Sequence, residues 1–292
     1  SAIAQSKFGF LKFFLMFKIC QIKNIPYIIH LHGNMLPITF KTNKRLFQKM
    51  ILDVLNKSNK VIVLSETLKK QVFFDVSKVE IINNFVEDDF FISYDNKKAI
   101  LEDSTFKLFY LSNLIESKGI LDVLRACLLL KDRGIKFHLT IAGLWQKEIK
   151  RKGQKIVKEL GEEYVTYLGV VQGERKKEVI HKDHIFLLPT YYPQEGVPIS
   201  ILEAMAGGNV ILTTRQGGIA DIITEGKNGY FVEKKNPKGI TDKICFLYQN
   251  FPKIKQISQN NIEYAKEFTV KQFVNSIETL IKSAVVENKH EQ

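Results

Sequence analysis

LLPTYYPQEGVPISILEAMAGGNVILTT, residues 187–214, holds the end of a strand, a loop, a helix and the next strand in one short stretch. The first strand closes near Pro189, and the loop after it carries Glu195 and Gly196. Pro198 suits the first helical position, because its ring presets the helical torsion and no donor is needed there. Glu203 follows about 7.5 Å along the axis, at about 1.5 Å per residue. The amides of Val197, Ile199 and Ser200 have no intrahelical acceptor and point above the helix start, which suits a phosphate or a hydroxyl-rich ligand. Carboxylates at both positions suit a sugar, since each can accept two hydroxyl hydrogen bonds. A metal fits less well, with no further Asp or His at ligand spacing. A plainer reading also fits: a solvated loop glutamate, and a first-turn glutamate favoured by the helix dipole.

The same alternation runs outward in both directions. Downstream, FKLFYLS (106–112), FHLTIAG (137–143), VTYLG (165–169), HIFLLPT (184–190), NVILTT (209–214) and GYFVE (229–233) read as strands separated by helical patterns. Near-continuously apolar strands between helices predict a parallel sheet covered on both faces, here a complete doubly wound domain over 106–265. Upstream, YIIHLH (27–32), VIVLS (61–65) and VEIIN (79–83) read as strands, with Thr42 as N-cap of the helix that follows HGN. These form a fragment of a second such domain, over 1–92. The polar stretch 87–104 reads as an exposed linker, with its domain boundaries at 93–105. Residues 266–292 read as a C-terminal helix able to pack back on the first domain. The fold class is α/β, and in such sheets ligands bind at the carboxyl ends of the strands.

At roughly 150 residues per domain, a chain of 292 residues has room for two domains. Its 45% hydrophobic content excludes a disordered or collagen-like chain. Cys20, Cys127 and Cys245 stand too far apart for a zinc or redox motif and fit a reducing compartment. The net charge of +12 points to an anionic partner: nucleic acid, a membrane surface or a phosphorylated small molecule. Lysines scattered over many helices, with no basic stripe or interleaved aromatics, count against nucleic acid. The most apolar window, FGFLKFFLMFKIC (8–20), is interrupted by Lys12 and Lys18 and is too short to span a bilayer. It fits a helix packed on a sheet, or a basic, aromatic-rich helix at a membrane surface.

E-x7-E from Glu195 to Glu203, within EGVPISILEAMAGG, resembles the donor-site signature of retaining family 4 glycosyltransferases, which have the two-domain GT-B fold. Other landmarks match in order: HLHG (30–33), VIVLSE (61–66), VEIINNFVEDDFF (79–91), LSNLIESKGI (111–120), TIAGLW (140–145) and TTRQGGIADIITEGKNGYFV (213–232). The resemblance covers about residues 26–232 and implies two Rossmann-like domains, the first incomplete. It implies that Glu195 contacts the donor-sugar hydroxyls, helped by the backbone of Gly196 and Val197, and that Glu203 grips the ribose hydroxyls. Lys118 would hold the diphosphate, where a fixed cation stabilises the departing oxygen more than the ground state. His32 would contact the sugar near its 6-hydroxyl; His30 shares its side-chain direction and is the more buried. Gly217 and Gly218 bring backbone close to the donor, or only form a tight turn. Tyr191 and Tyr192 would flank the sugar.

The chain departs from the family's pattern in places. Ser112 and Asn113 stand where glycine and arginine are usual, so Asn113 donates hydrogen bonds without charge and diphosphate binding is expected to be weaker by about 1–2 kcal/mol. Nothing in residues 1–25 resembles the Gly-rich loop that opens the family's first domain, so the chain is expected to begin partway through that domain. Phe85 stands where glycine is frequent after Asn84, near the interdomain hinge. The implied activity moves a sugar from a UDP- or GDP-linked donor to an acceptor hydroxyl with retention. The resemblance implies that no metal and no further cofactor is required, because Lys118 and helix amides neutralise the diphosphate, and that no protein nucleophile is needed, because the leaving phosphate takes the acceptor's proton. Charge and the aromatic first helix point to a lipid-linked glycan acceptor in bacterial surface polysaccharide synthesis, at the cytoplasmic face of the membrane. The alternative is a truncated nucleotide-sugar-binding chain without transfer activity, acting as a partner or regulatory subunit.

Overall fold

The computed structural model describes residues 3–102 and 106–290. Every stretch read as a strand forms one. In the first half, α1 (Lys7–Ile22), β1 (Ile28–His30), α2 (Met35–Thr42), α3 (Arg45–Asn56), β2 (Lys60–Val63), α4 (Glu66–Lys69) and β3 (Val79–Ile81) build a parallel three-stranded sheet in the order β1-β2-β3. After α5 (Tyr94–Leu101) come β4 (Phe106–Leu111), α6 (Ile120–Asp132), β5 (Phe137–Ala142), α7 (Lys147–Leu160), β6 (Val165–Tyr167) and α8 (Gly173–Lys182). β7 (Ile185–Leu188), α9 (Ile199–Ala206), β8 (Val210–Thr213), α10 (Ile219–Ile222) and β9 (Gly229–Phe231) complete a parallel six-stranded sheet in the order β6-β5-β4-β7-β8-β9. α11 (Pro237–Gln249), α12 (Phe251–Ala265) and α13 (Val270–His290) close the chain.

Strand order reverses at β4, which pairs with both β5 and β7. The loops after β4 and β7 therefore lead to opposite faces of the sheet and leave a crevice between them. Every residue of β7 and β8 is buried, as expected of strands covered by helices on both faces. α3 buries Phe47, Ile51, Val54 and Leu55, one helical stripe.

α1 buries one side and leaves apolar residues exposed on the other. Phe10 and Phe17 are buried, with Phe10 edge-on to Phe47 at 5.7 Å between ring centroids. On its outer side Phe8, Leu15 and Ile22 stay 79%, 69% and 81% exposed. Among the described residues no helix is long and apolar enough to cross a membrane.

The two halves are joined by hydrogen bonds from Val86 N to Phe268 O (2.8 Å) and from Ile92 N to Ala206 O (3.3 Å). Beyond Phe268 the chain returns to the first sheet, where Phe273, Ile277 and Leu280 of α13 pack with Ile28, Ile62 and Ile82.

Two expectations need correction. The stretch 87–104 is no exposed linker: it contains α5, whose Lys97 and Leu101 are buried. Lys97 Nζ donates to the carbonyls of His181 (2.9 Å) and Asp183 (2.5 Å) and to Asn209 Oδ1 (3.3 Å). A lysine stem buried lengthwise, with its head fully bonded, escapes any pattern that equates charge with exposure. Residues 103–105 of that stretch lie outside the described residues. Thr42 does not cap the following helix: it ends α2, where its hydroxyl donates to Ile38 O (2.9 Å), and Lys44 occupies the N-cap of α3.

Candidate functional site

The crevice at the β4–β7 reversal is built from two loops tied to each other. After β4 the chain turns through Glu116–Lys118 into Gly119, whose φ of +80° and contact with Pro189 leave no room for a side chain. Tyr191 N donates to Ser117 O (2.7 Å), which holds the post-β7 loop against that turn. Lys118 is thereby aimed at Glu195. Its Nζ lies 2.8 and 2.7 Å from the two carboxylate oxygens, and one of these also accepts from Thr190 Oγ1 (2.8 Å). Tyr192 completes the enclosure, with its ring centroid 5.1 Å from the ammonium. At 5% exposure, Glu195 is not a solvated loop residue.

Glu203 is also 5% exposed, in the second turn of α9 and not the first. Pro198 stands one residue earlier than expected, at the N-cap. Lys176 Nζ donates to Glu203 Oε1 at 2.6 Å, while Oε2 is buried with no partner among the described residues. Burial raises the Glu203 pKa from the ordinary carboxyl value, and Lys176 only partly offsets it. Glu203 and Lys176 share a cavity of about 490 Å³ with Ser112, Asn113, Ser200 and Phe85. A neighbouring cavity shares Glu87, Lys176 and Glu203 with it. Sequence reasoning missed Lys176: GERKKEVIHK offers adjacent lysines, and nothing local ranks one above the other.

From the first domain, the HGN loop abuts the post-β7 loop. Asn34 N donates to Gln194 O (3.3 Å), and a side chain at Gly196 would stand 2.7 Å from His32 O. His32 lies two residues beyond the end of β1, in an exposed loop position rather than at the end of a buried strand. The ring stacks on His30 at 3.9 Å between centroids. His30 is buried; burial and then the neighbouring His32 push its pKa down to about 4. Desolvation lowers that of His32 as well. Val197 O accepts from Asn84 Nδ2 across the domains (2.7 Å). Gly217, at φ +55°, lies where any side chain would strike Glu195 O, and Gly218 N donates to Gly196 O (2.9 Å). The structure thus groups Glu195, Lys118, Gly196, Gly217, Gly218 and the His32 backbone on one side of the α9 start, and Glu203 with Asn113 on the other.

Two parallel α/β units with these loops facing each other have the GT-B glycosyltransferase fold. The structure of HepE from Anabaena in complex with UDP is similar, with a TM-score of 0.79 and 16% identity, over 92% of this chain and 76% of its own. The chain belongs to the family of glycosyl transferases group 1, whose model matches residues 93–267. An uncharacterized glycosyltransferase of Methanocaldococcus jannaschii is 26% identical over 84% of this chain and 65% of its own length. A putative colanic acid biosynthesis glycosyltransferase of Escherichia coli, WcaL, is 25% identical over 47% of this chain and 35% of its own. The chain thus spans under two thirds of the length of these last two relatives.

Proposed function

We propose that this chain transfers a sugar from a nucleoside diphosphate donor to an acceptor hydroxyl, with retention at the anomeric carbon. The observation that carries the reading is Glu203: a buried carboxylate on the cavity wall, one oxygen held by Lys176 and the other without a partner. A ribose diol supplies the donor that this second oxygen lacks, and leaving it unbonded in a buried site is costly. The Lys118–Glu195 pair serves the other end of the donor. Binding trades one internal ion pair for two external contacts, with the diphosphate on the ammonium and the sugar hydroxyls on the carboxylate. His32 contacts the sugar from the opposite domain. As the bond between the anomeric carbon and the leaving oxygen breaks, charge grows beside Lys118 and is stabilised there. The acceptor oxygen bonds to the same face of that carbon and its proton passes to the leaving phosphate, so no protein nucleophile takes part.

For the acceptor we propose a lipid-linked glycan of bacterial surface polysaccharide synthesis, met by a peripheral protein at the cytoplasmic membrane face. The exposed apolar side of α1 and the colanic acid relative support this reading.

Calorimetric titration with UDP, GDP and ADP, on the wild-type chain and Glu203→Ala, tests the donor site. One nucleotide is expected to bind selectively, and the variant to lose at least about ten-fold in affinity, as for a lost hydrogen bond to a charged group. Unchanged affinity in the variant would sink the role of Glu203.

A further inference from the structure

The donor-site reading leaves Phe85 and the last helix without a role, yet both lie in one line of rings that ends at His32. His32 stacks on His30 (3.9 Å between centroids, planes 33° apart), and His30 stacks on Phe273 of α13 (6.2 Å, 27°). Phe273 in turn packs on Phe85 (4.7 Å, 44°), which lines the Glu203 cavity. The two contacts of Phe273 fall in the range of favourable aromatic pairs, about 4.5–7 Å, and the two imidazoles stand closer still, at 3.9 Å. His30 Nε2 is buried with no hydrogen-bond partner among the described residues, so no bond at that atom orients the ring. Phe273 is itself anchored, because Ile277 and Leu280 of the same helix pack on Ile62 and Ile82 of the first domain.

We propose that Phe273 is a positioning residue for His32. A ring carried by the far end of the chain backs His30 and so holds the His32 imidazole at the edge of the sugar site. The large side chain at position 85 fits the same device, filling the opposite side of Phe273 where glycine would leave a gap. This inference rests on the proposed contact between His32 and the donor sugar.

The test needs no acceptor. Affinities for UDP and UDP-glucose (or GDP and GDP-glucose, whichever pair the chain binds) are measured for each variant of the 292-residue chain. Their ratio reports the sugar contact and cancels changes in the nucleoside part of the cavity. Phe273→Leu keeps an apolar anchor but removes the ring. It is expected to lower the ratio about three- to ten-fold, the range of one hydrogen bond. His32→Ala should lower it equally, the double variant no further, and Phe273→Tyr should restore it to within about two-fold. Should the leucine variant not fold, His30→Ala breaks the same line and is expected to give the same loss.

A normal ratio in Phe273→Leu alongside a reduced one in His32→Ala overturns the proposal, as do losses that multiply in the double variant. A normal ratio in His32→Ala removes the sugar contact, and the positioning role with it, while nucleotide binding stands. No binding of either nucleotide by the wild type would overturn the donor site as a whole.

Discussion

Glu195 and Glu203 could be singled out in the sequence because their spacing sits in one strand–loop–helix unit, whereas Lys118, in the loop after an earlier strand, was marked by the family resemblance. The pairing of Lys118 with Glu195 and of Lys176 with Glu203 could not be read. Lys176 and Lys177 are chain neighbours, yet the helical turn sends one to Glu203 and the other to Asp89 and Glu174. Only contact with α9 and with the segment at Asp89 tells them apart. His30 carries a consequence for stability. Its pKa in the folded protein is about 4, against 6.5 unperturbed. Between those values the unfolded chain takes up a proton that the folded protein refuses, so stability falls as pH drops from about 6.5 to 4. This one group accounts for about 3 kcal/mol once the pH is below both values. His32 and His181 are shifted in the same direction. Thermal melts at a series of pH values should show a clearly flatter decline for His30→Phe than for the wild type. Parallel curves would mean that His30 is not held neutral.

At the scale of elements, the strands were legible because runs such as IFLL and VIL are apolar at every position, which suits a doubly covered sheet. α5 was not. Its sequence, YDNKKAIL, has a weak apolar stripe, and its buried side is made largely by a lysine. Lys97 joins α5 to the carboxyl end of α8 and to Asn209 beyond α9, the helices that bear Lys176 and Glu203. Lys97→Met keeps most of the stem but strands its buried acceptors, at an expected cost of about 2–4 kcal/mol; Lys97→Ala adds a cavity and should cost more. Urea unfolding measures both. A methionine variant within about 0.5 kcal/mol of the wild type, the usual range of surface changes, would show that the buried ammonium contributes nothing.

Across the whole molecule, charge and apolar exposure are unevenly distributed. Up to Leu52 the chain carries Lys7, Lys12, Lys18, Lys23, Lys41, Lys44, Arg45 and Lys49 and not one Asp or Glu. Lys18 is engaged by Asp53 at 2.6 Å, and the exposed row of Phe8, Leu15 and Ile22 lies on the same helix. Basic charge around an apolar helix face is the pattern of binding to an anionic lipid surface, and salt should weaken it. Co-sedimentation with phosphatidylglycerol vesicles at low salt should exceed that with phosphatidylcholine, and Leu15→Glu should reduce it about ten-fold by removing buried apolar area and adding a like charge. Equal retention on both vesicles would refute a docked α1.

The sequence by itself determined the strands and the parallel α/β class, because strand period and helix starts depend on residues a few places apart, and its resemblance to a known family marked Glu195, Glu203 and Lys118 as candidates. Tertiary structure alone decided that Lys118 closes on Glu195 from 77 residues away, that Lys97 is buried against Asp183 from 86, and that Phe273 reaches His30. Such pairings depend on which surfaces meet once the sheets have packed, and no local pattern carries that information.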